Sequence, residues 1–494
     1  MKKFTNLIFI LITFIALWGC TVDDDPSTDN EKGVTPTHDF SVTSYLQDNA
    51  VFPQNSEFVI NGISENGVLL KVDIYDEKNS LIKTASDIAD NSGEFSVKII
   101  APKGSYNQYK IVITDSVHEH VYQNILFGEV WLFAGEQLES NVVYEEPIFN
   151  EFVRIFNYSN NKFNWESYNQ ESNIYNIAYE FGNHLQDKLS VPVAVIDSTL
   201  VQGNADAWIS HFTASNQLKI NSYLKLIDRY IPSPDNIVYK TNNMSSMYKT
   251  FLEQLNGIAV KGLIWQQGVT DFDINDDVDI QKLLTNYTYL TSNIFLDYIN
   301  FFKGNLDIYS IQNGFVNIKY ANVLRSAQEQ ATYLVNNVHI VPTYDCHIPE
   351  SDDDLNVNYV FSTEKYVERI TNDVINYTYQ KEKESKYSML TNVVINNNLI
   401  TLTFSNDINL IEVEEIYGLN VSTIDQIDIN YSFEIEKNKI IIELNDLVFT
   451  EDMELTISYA ENNDLYKCNL YNDKCNLYNV NQLPVLPFSV EISD

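Results

Sequence analysis

Between residues 128 and 382, short apolar runs alternate with longer stretches of helical periodicity. No other feature restricts the fold of this chain as strongly. The runs at 191–196, 262–265 and 338–342 are apolar almost throughout, the pattern of strands covered on both faces. Among them lie stretches at 174–189, where Ile177, Phe181 and Leu185 recur at helical spacing, and at 247–255 and 320–334. Strands separated by helices cannot pair as tight hairpins; they pair in parallel through crossovers. The expectation is an α/β domain with a parallel sheet and helices on both faces. Any ligand would then sit at the carboxyl ends of the strands.

The flanks differ. Residues 39–127 carry short alternating runs such as Phe95-Ser96-Val97-Lys98-Ile99-Ile100, with a turn at Asn91-Ser92-Gly93-Glu94, and read as a small β-sandwich. Residues 383–494 return to β patterns at 398–404, 439–444 and 454–459, giving a C-terminal β domain. Hydrophobic residues make up 44% of 494, enough for several cores. The formal charge is −37, from 68 acidic and 31 basic residues. This excludes a nucleic-acid partner, whose phosphates such a surface would repel.

Lys2 and Lys3 precede an apolar run at 7–18, followed by Leu17-Trp18-Gly19-Cys20. A basic start, a short apolar stretch and a small residue before the cut describe an export signal over 1–20. The stretch is too short for a membrane span. Cys20 directly after the small residue makes it resemble a bacterial lipoprotein signal, with Cys20 the lipidated residue and the lipid as the membrane anchor. The acidic run Asp23-Asp24-Asp25 resembles the surface-export signal of Bacteroidota lipoproteins, so an outer-membrane, surface-facing location is expected. Residues 21–38, with Pro26, Gly33 and Pro36, read as a flexible tether. Export permits disulfides. Cys468 and Cys475 lie in a doubled Lys-Cys-Asn-Leu-Tyr-Asn unit; either they pair or they are two free thiols left by a duplication.

Residues Gly128-Glu129-Val130-Trp131-Leu132-Phe133-Ala134-Gly135-Glu136-Gln137 resemble the nucleophile segment of the sialate O-acetylesterase family, a branch of the SGNH hydrolases. Further segments match that family in order: Val153-Arg154-Ile155-Phe156, Asp206-Ala207-Trp208, Gly262-Leu263-Ile264-Trp265-Gln266-Gln267-Gly268, the stretch at 320–328, Asn476-Leu477-Tyr478-Asn479 and Leu483-Pro484-Val485-Leu486-Pro487-Phe488. The resemblance implies a flavodoxin-like SGNH domain and removal of O-acetyl groups from sugars by a serine, a histidine and an aspartate. It implies an oxyanion hole, a carbohydrate partner, and neither metal nor cofactor.

The residues at those positions are not the ones the chemistry needs. Gln137 stands where the family has its serine, and an amide nitrogen cannot be activated as a hydroxyl can. Glu136 precedes it. Val201 and Gln202 stand at the glycines of the oxyanion loop, with Gly203 displaced. Asp271 replaces the asparagine donor after Gln267 and Gly268, and an ionised carboxylate only accepts. Counting back from Arg369 places Tyr359 or Val360 at the histidine, with Val357 nearby for the aspartate. The expectation is a degenerate esterase that keeps a glycan-facing cleft lined by Glu136, Gln267, Gly268 and Tyr359. The alternatives are an active esterase with a displaced triad of Ser140, Asp345 and His347, or a structural surface protein without a glycan ligand. His118-Glu119-His120 reads as a polar strand face and Asp352-Asp353-Asp354 as a solvated loop, not as metal sites.

Overall fold

The computed structural model describes residues 40–115, 117–137, 142–143, 149–167, 176–304, 306–314, 318–349, 359–380, 386–405, 408–423, 425, 427–445, 453–460 and 475–493. Cys20, the 21–38 tether, Ser140, the 352–354 acidic run and Cys468 lie outside them, as do the side chains of His347 and Tyr359. Among the described residues, no helix is long and apolar enough to cross a membrane.

The N-terminal strands form two layers. β1 (Ser41–Val42), β3 (Glu57–Ile63) and β6 (Glu94–Ile100) make one antiparallel sheet. β4 (Leu69–Tyr75), β5 (Leu81–Ile88), β7 (Ser105–Thr114) and the first half of β8 (Glu119–Glu136) make the other, with β2 (Val51–Pro53) parallel to β8. Alternation sets which face is buried: Phe95, Val97 and Ile99 of β6 point inward while Glu94, Ser96 and Lys98 are exposed. Phe58, Ile60, Val97 and Ile99 share a core with Leu70, Val72, Ile111 and Ile113 of the second sheet. The expected turn is present, with Asp90 Oδ1 accepting from the backbone N–H of Ser92 at 2.8 Å.

β8 crosses from this sandwich into the α/β part without a break. Its first six residues alternate between exposed and partly buried; from Ile125 onward all but Glu129 are buried. That change marks where a sheet covered on one face becomes a sheet covered on both. β9 (Val142–Val143) is a short strand outside this sheet. β10 (Val153–Ser159) and β11 (Lys162–Glu166) form a hairpin closed by Asn160 and Asn161, both at positive φ (51° and 62°), the turn geometry that asparagine tolerates. Next come α1 (Asn176–Leu189), β12 (Val193–Leu200), α2 (His211–Asn216), α3 (Leu218–Leu226), α4 (Ser246–Phe251), β13 (Gly262–Gln266), α5 (Val269–Phe272), α6 (Ile280–Phe301), β14 (Asp307–Gln312), α7 (Ala321–Tyr333) and β15 (Val338–Pro342). The order across the sheet is β11-β10-β12-β8-β13-β14-β15, all parallel except the edge strand β11. β16 (His347–Pro349) and β17 (Tyr359–Ser362) form a small sheet with β9, and α8 (Thr363–Tyr377) follows.

Side chains of β8 divide between two cores by parity. Val130, Leu132 and Ala134 pack with α6 and α7 residues such as Leu290, Ile294 and Leu324. Trp131 and Phe133 face Phe181 and Leu185 of α1 and Ile370 and Val374 of α8. The C-terminal strands β18 (Leu390–Asn396), β19 (Leu399–Phe404), β20 (Leu419–Thr423), β21 (Tyr431–Glu436), β22 (Lys439–Leu444), β23 (Leu455–Tyr459) and β24 (Phe488–Ile492) form two sheets, β18-β19-β22-β21 and β20-β23-β24, around one further core. Cys475 is disulfide-bonded, Cys346 is buried and free, and the partner of Cys475 lies outside the described residues.

Arg154 ties the sandwich to the parallel sheet. It is buried on β10, and its Nη1 donates to the carbonyls of Asn49 (2.8 Å) and Asn124 (2.5 Å), while Nη2 donates to Asn124 Oδ1 (2.9 Å). Asn124 sits at φ 54° within β8, so the guanidinium braces an irregular point of the central strand. Arg154→Ala strands three part-buried acceptors and should lower the unfolding free energy by about 2 kcal/mol; Arg154→Lys, which restores one donor group, should lose less. A urea titration of both variants reads this directly.

Candidate functional site

Chain order places the site. From β8 the chain goes to β10 and β12 on one side, then returns across β8 to β13 on the other. Where strand order reverses, the loops at the carboxyl ends part and leave a crevice. Three segments meet there: 135–137 leaving β8, 200–205 leaving β12 and 266–271 leaving β13. Two glycines permit the approach. Gly135 has φ +102°, and a Cβ on it would lie 2.0 Å from the Gln266 carbonyl oxygen; Gly268 has φ +130°, and a Cβ there would lie 2.3 Å from Leu324 Cδ1.

Gln137 is fixed at the lip of the crevice. Its backbone N–H donates to the Leu200 carbonyl at 2.8 Å. Its Nε2 donates to Thr199 Oγ1 at 2.9 Å, and the Thr199 hydroxyl donates to Asp197 Oδ1 at 2.5 Å. This chain of bonds orients the carboxamide and includes no activated nucleophile. Val201, 60% exposed, and Gln202 turn toward solvent.

Behind Gln137 the donors of the crevice are already taken. Asp271 accepts from the Ala205 backbone N–H (3.1 and 3.2 Å), from Asn204 Nδ2 (3.1 Å) and from Gln267 Nε2 (2.7 Å). Gln267 Nε2 also donates to the Gly203 carbonyl at 2.5 Å. Glu136 is buried and accepts from the backbone N–H of Thr270 at 3.1 Å, from the Thr270 hydroxyl and, at 3.4 Å, from the N–H of Gly268. Asp206, on the 3-10 turn Ala205–Trp208, is buried and pairs with Arg229 at 2.7 Å. Arg229, Asn204 and Thr199 carry this arrangement and were not expected. Arg229 lies 23 residues from Asp206, and no local pattern connects them.

Three carboxyl groups therefore crowd one crevice. Burial pushes Glu136 up to about 7, against the bonds from Thr270, and the neighbouring Asp271 pushes it further. Burial also takes Asp206 to about 7, against the pull of Arg229, and raises Asp271. Among the described residues, no group of three or more His, Cys, Asp or Glu could hold a metal ion. His120 instead stacks on Phe40 with ring centroids 4.2 Å apart, and His118 Nδ1 lies 3.1 Å from Asp115 Oδ2.

Asp345 lies on the 3-10 turn Tyr344–Cys346 that follows β15. It is buried between both terminal nitrogens of Arg369, with Nη2 at 2.6 Å from Oδ2, and Tyr478 Oη donates to it at 3.3 Å. The guanidinium holds the carboxylate below its ordinary range despite burial. The backbone of His347 pairs with Phe361, and Phe361 pairs with Val142.

The carboxyl groups set a pH dependence. An acid whose folded value lies above its unfolded value binds more protons when folded, so stability falls as pH rises between the two. For Glu136 that window runs from 4.5 to about 7. Its cost at higher pH is on the order of 3 kcal/mol at most. The melting midpoint should fall between about pH 5 and about pH 8, and Glu136→Gln should flatten that slope and raise the midpoint at the upper end. An unchanged slope in the variant removes Glu136 from the account.

No family model matches this chain. A sialate O-acetylesterase of Pongo abelii is 22% identical over 282 residues, spanning 48% of this chain and 50% of that protein. The chain thus spans about half the length of the curated relative it matches. A carbohydrate acetylesterase from Xanthomonas citri has a solved structure that superposes with a TM-score of 0.69 at 16% identity, covering 91% of this chain and 99% of that one, a likeness of fold. With the ordered motifs that end at this crevice, these findings make the chain sialate O-acetylesterase-like.

Proposed function

We propose that this protein is a catalytically degenerate esterase homologue, anchored to the outer membrane through Cys20, that binds glycans without deacetylating them. The observation that carries this is Asp271. Ester cleavage by a serine needs N–H donors aimed at an empty position where the oxyanion will form. The N–H of Ala205 and the amides of Asn204 and Gln267 converge instead on the Asp271 carboxyl. Whatever its protonation, its oxygens fill the space and use the donors. When ionised it also opposes the reaction. A second negative charge about 4 Å away costs about 4 kcal/mol at an effective dielectric near 20, roughly three orders of magnitude in rate.

The strand order β12-β8-β13-β14-β15 supports a flavodoxin-like SGNH arrangement, in which ligands occupy the switch point. A carboxylate that orients a catalytic histidine needs a lone pair for the ring N–H. Asp345 is clamped by a bidentate pair with Arg369 and by a bond from Tyr478 to Oδ2. This leaves spare capacity on Oδ1 alone and ties its orientation to a cation, which weighs against Ser140, Asp345 and His347 working as a triad.

The form beginning after Cys20 should hydrolyse no aryl acetate above background and take no label from a fluorophosphonate. Gln137→Ser alone should stay at background, because the donors remain occupied by Asp271. Turnover in the unmodified chain that is lost in Ser140→Ala would overturn the proposal. Failure to retain any sugar on a glycan array would leave a structural surface protein.

A further inference from the structure

We propose that a second cavity, formed by α2, α4 and α6, is a binding site for an uncharged short oligosaccharide. The inference rests on the glycan-binding part of the reading above, not on the loss of catalysis. The cavity has a volume of about 660 Å³, within the range of about 300–1,000 Å³ typical of small-molecule sites. It is not the crevice of Gln137 and Asp271. None of the three segments that meet at that crevice lines it. The 3-10 turn Ala205–Trp208 separates the two: Ala205 holds Asp271 on one side, and the Asp206 carbonyl accepts from the N–H of Ser245, in the cavity wall, at 2.8 Å.

The lining combines aromatic faces with hydrogen-bonding groups. Phe212 is 76% exposed at the end of α2 and Leu296 is exposed on α6, with the half-buried Tyr248 of α4 beside them. Pyranose rings offer an apolar C–H face that packs on such surfaces and hydroxyls around the edge that need polar partners. Asn293, Ser210 and Asp297 supply polar groups in the same wall. Asp297 accepts from the Ser210 N–H (2.8 Å), the Thr213 hydroxyl and the Ser210 side chain, three bonds that leave one of about four acceptor positions for a sugar hydroxyl.

Ser245 is a second, independent sign. It is 1% exposed, has φ +62° although it is not glycine, and its buried Oγ has no hydrogen-bond partner. Strained backbone and unpaired buried hydroxyls both cost stability and gather where a ligand supplies the missing partner.

Charge decides the class of sugar. Asp297 and Glu253 line the cavity together with Lys249. Lys249 Nζ already donates to the Pro234 carbonyl at 3.0 Å and lies over the Tyr239 ring. Among the described residues of this wall, the other basic group is His211, whose Nε2 lies 3.1 Å from the Ile231 carbonyl, and the chain as a whole carries −37. A sialylated or uronic sugar is disfavoured.

Saturation-transfer NMR on the protein beginning after Cys20, with lactose, xylotriose and 3′-sialyllactose, tests this. A neutral sugar should bind, and Phe212→Ala should weaken it about tenfold with an unchanged melting midpoint, since that side chain is mostly in water. Val394→Ala, exposed on β18 of the C-terminal sheet and outside both the crevice and the cavity, should change nothing. Binding that survives Phe212→Ala, or binding of 3′-sialyllactose alone, overturns the cavity assignment and leaves the broader reading standing. No binding of any sugar overturns both.

Discussion

The structure depends on one strand serving two sheets. β8 pairs with β7 in an antiparallel sheet and then with β12 and β13 in a parallel one. Its eighteen residues extend roughly 60 Å at about 3.3 Å each, so one segment carries the chain from the outer edge of the sandwich to the crevice. Burial that begins as alternation and ends continuous is the physical record of that passage. Arg154 braces the irregular point at Asn124, and this explains an arginine among the apolar residues of β10 better than a role in chemistry would. Because the strand is rigid and its parity is fixed by the two cores, Glu136 and Gln137 reach the switch point in a set orientation.

What they meet there is an interior already balanced against itself. Each carboxyl group in the crevice has taken backbone or amide donors: Thr270 and Gly268 for Glu136, Ala205 for Asp271. Arg229 pairs with Asp206, donates to the Asn242 carbonyl at 2.6 Å and also draws on Asp271. An enzyme keeps such donors unpaired until the transition state, at a cost in stability. Here the same donors are satisfied in the resting fold. On the proposed reading, introducing one nucleophilic side chain would leave these donors occupied by the carboxyl groups.

Legibility in the sequence followed the range of the interactions. The Gly128–Gly135 frame showed where β8 ends, since the glycine close approach and the two-sided burial both leave local traces. The helices over 174–189 and 320–334 were readable from periodicity and appear as α1 and α7, a residue or two shorter. The stretch at 247–255 divides into α4 and a 3-10 turn, Leu252–Leu255. α6, the longest helix described, was missed. Its run of Thr, Tyr, Asn and Ile lowers helical propensity, and packing of Leu290, Ile294 and Phe295 against the sheet overrides it. The Asp279 cap, accepting from the Lys282 N–H at 3.1 Å, was the available signal. Partners far apart in sequence, such as Asp271 with Ala205 or Asp345 with Arg369, leave no pattern in a single chain.

The 3-10 turn Ala205–Trp208 joins these observations. One end presents its first N–H to Asp271; the other leads into Ser210 and α2. Trp208, buried and edge-on to Trp265 with centroids 5.9 Å apart, anchors it to β13, and its Nε1 donates to the Ser198 carbonyl of β12. A turn pinned to two central strands cannot yield on one side without moving the other. Occupation of the crevice by Asp271 thus holds the turn, and the turn holds Ser210, whose N–H orients Asp297 in the cavity. In a fold where the donors at the switch point are spent, that linkage makes the crevice a structural support for the neighbouring wall.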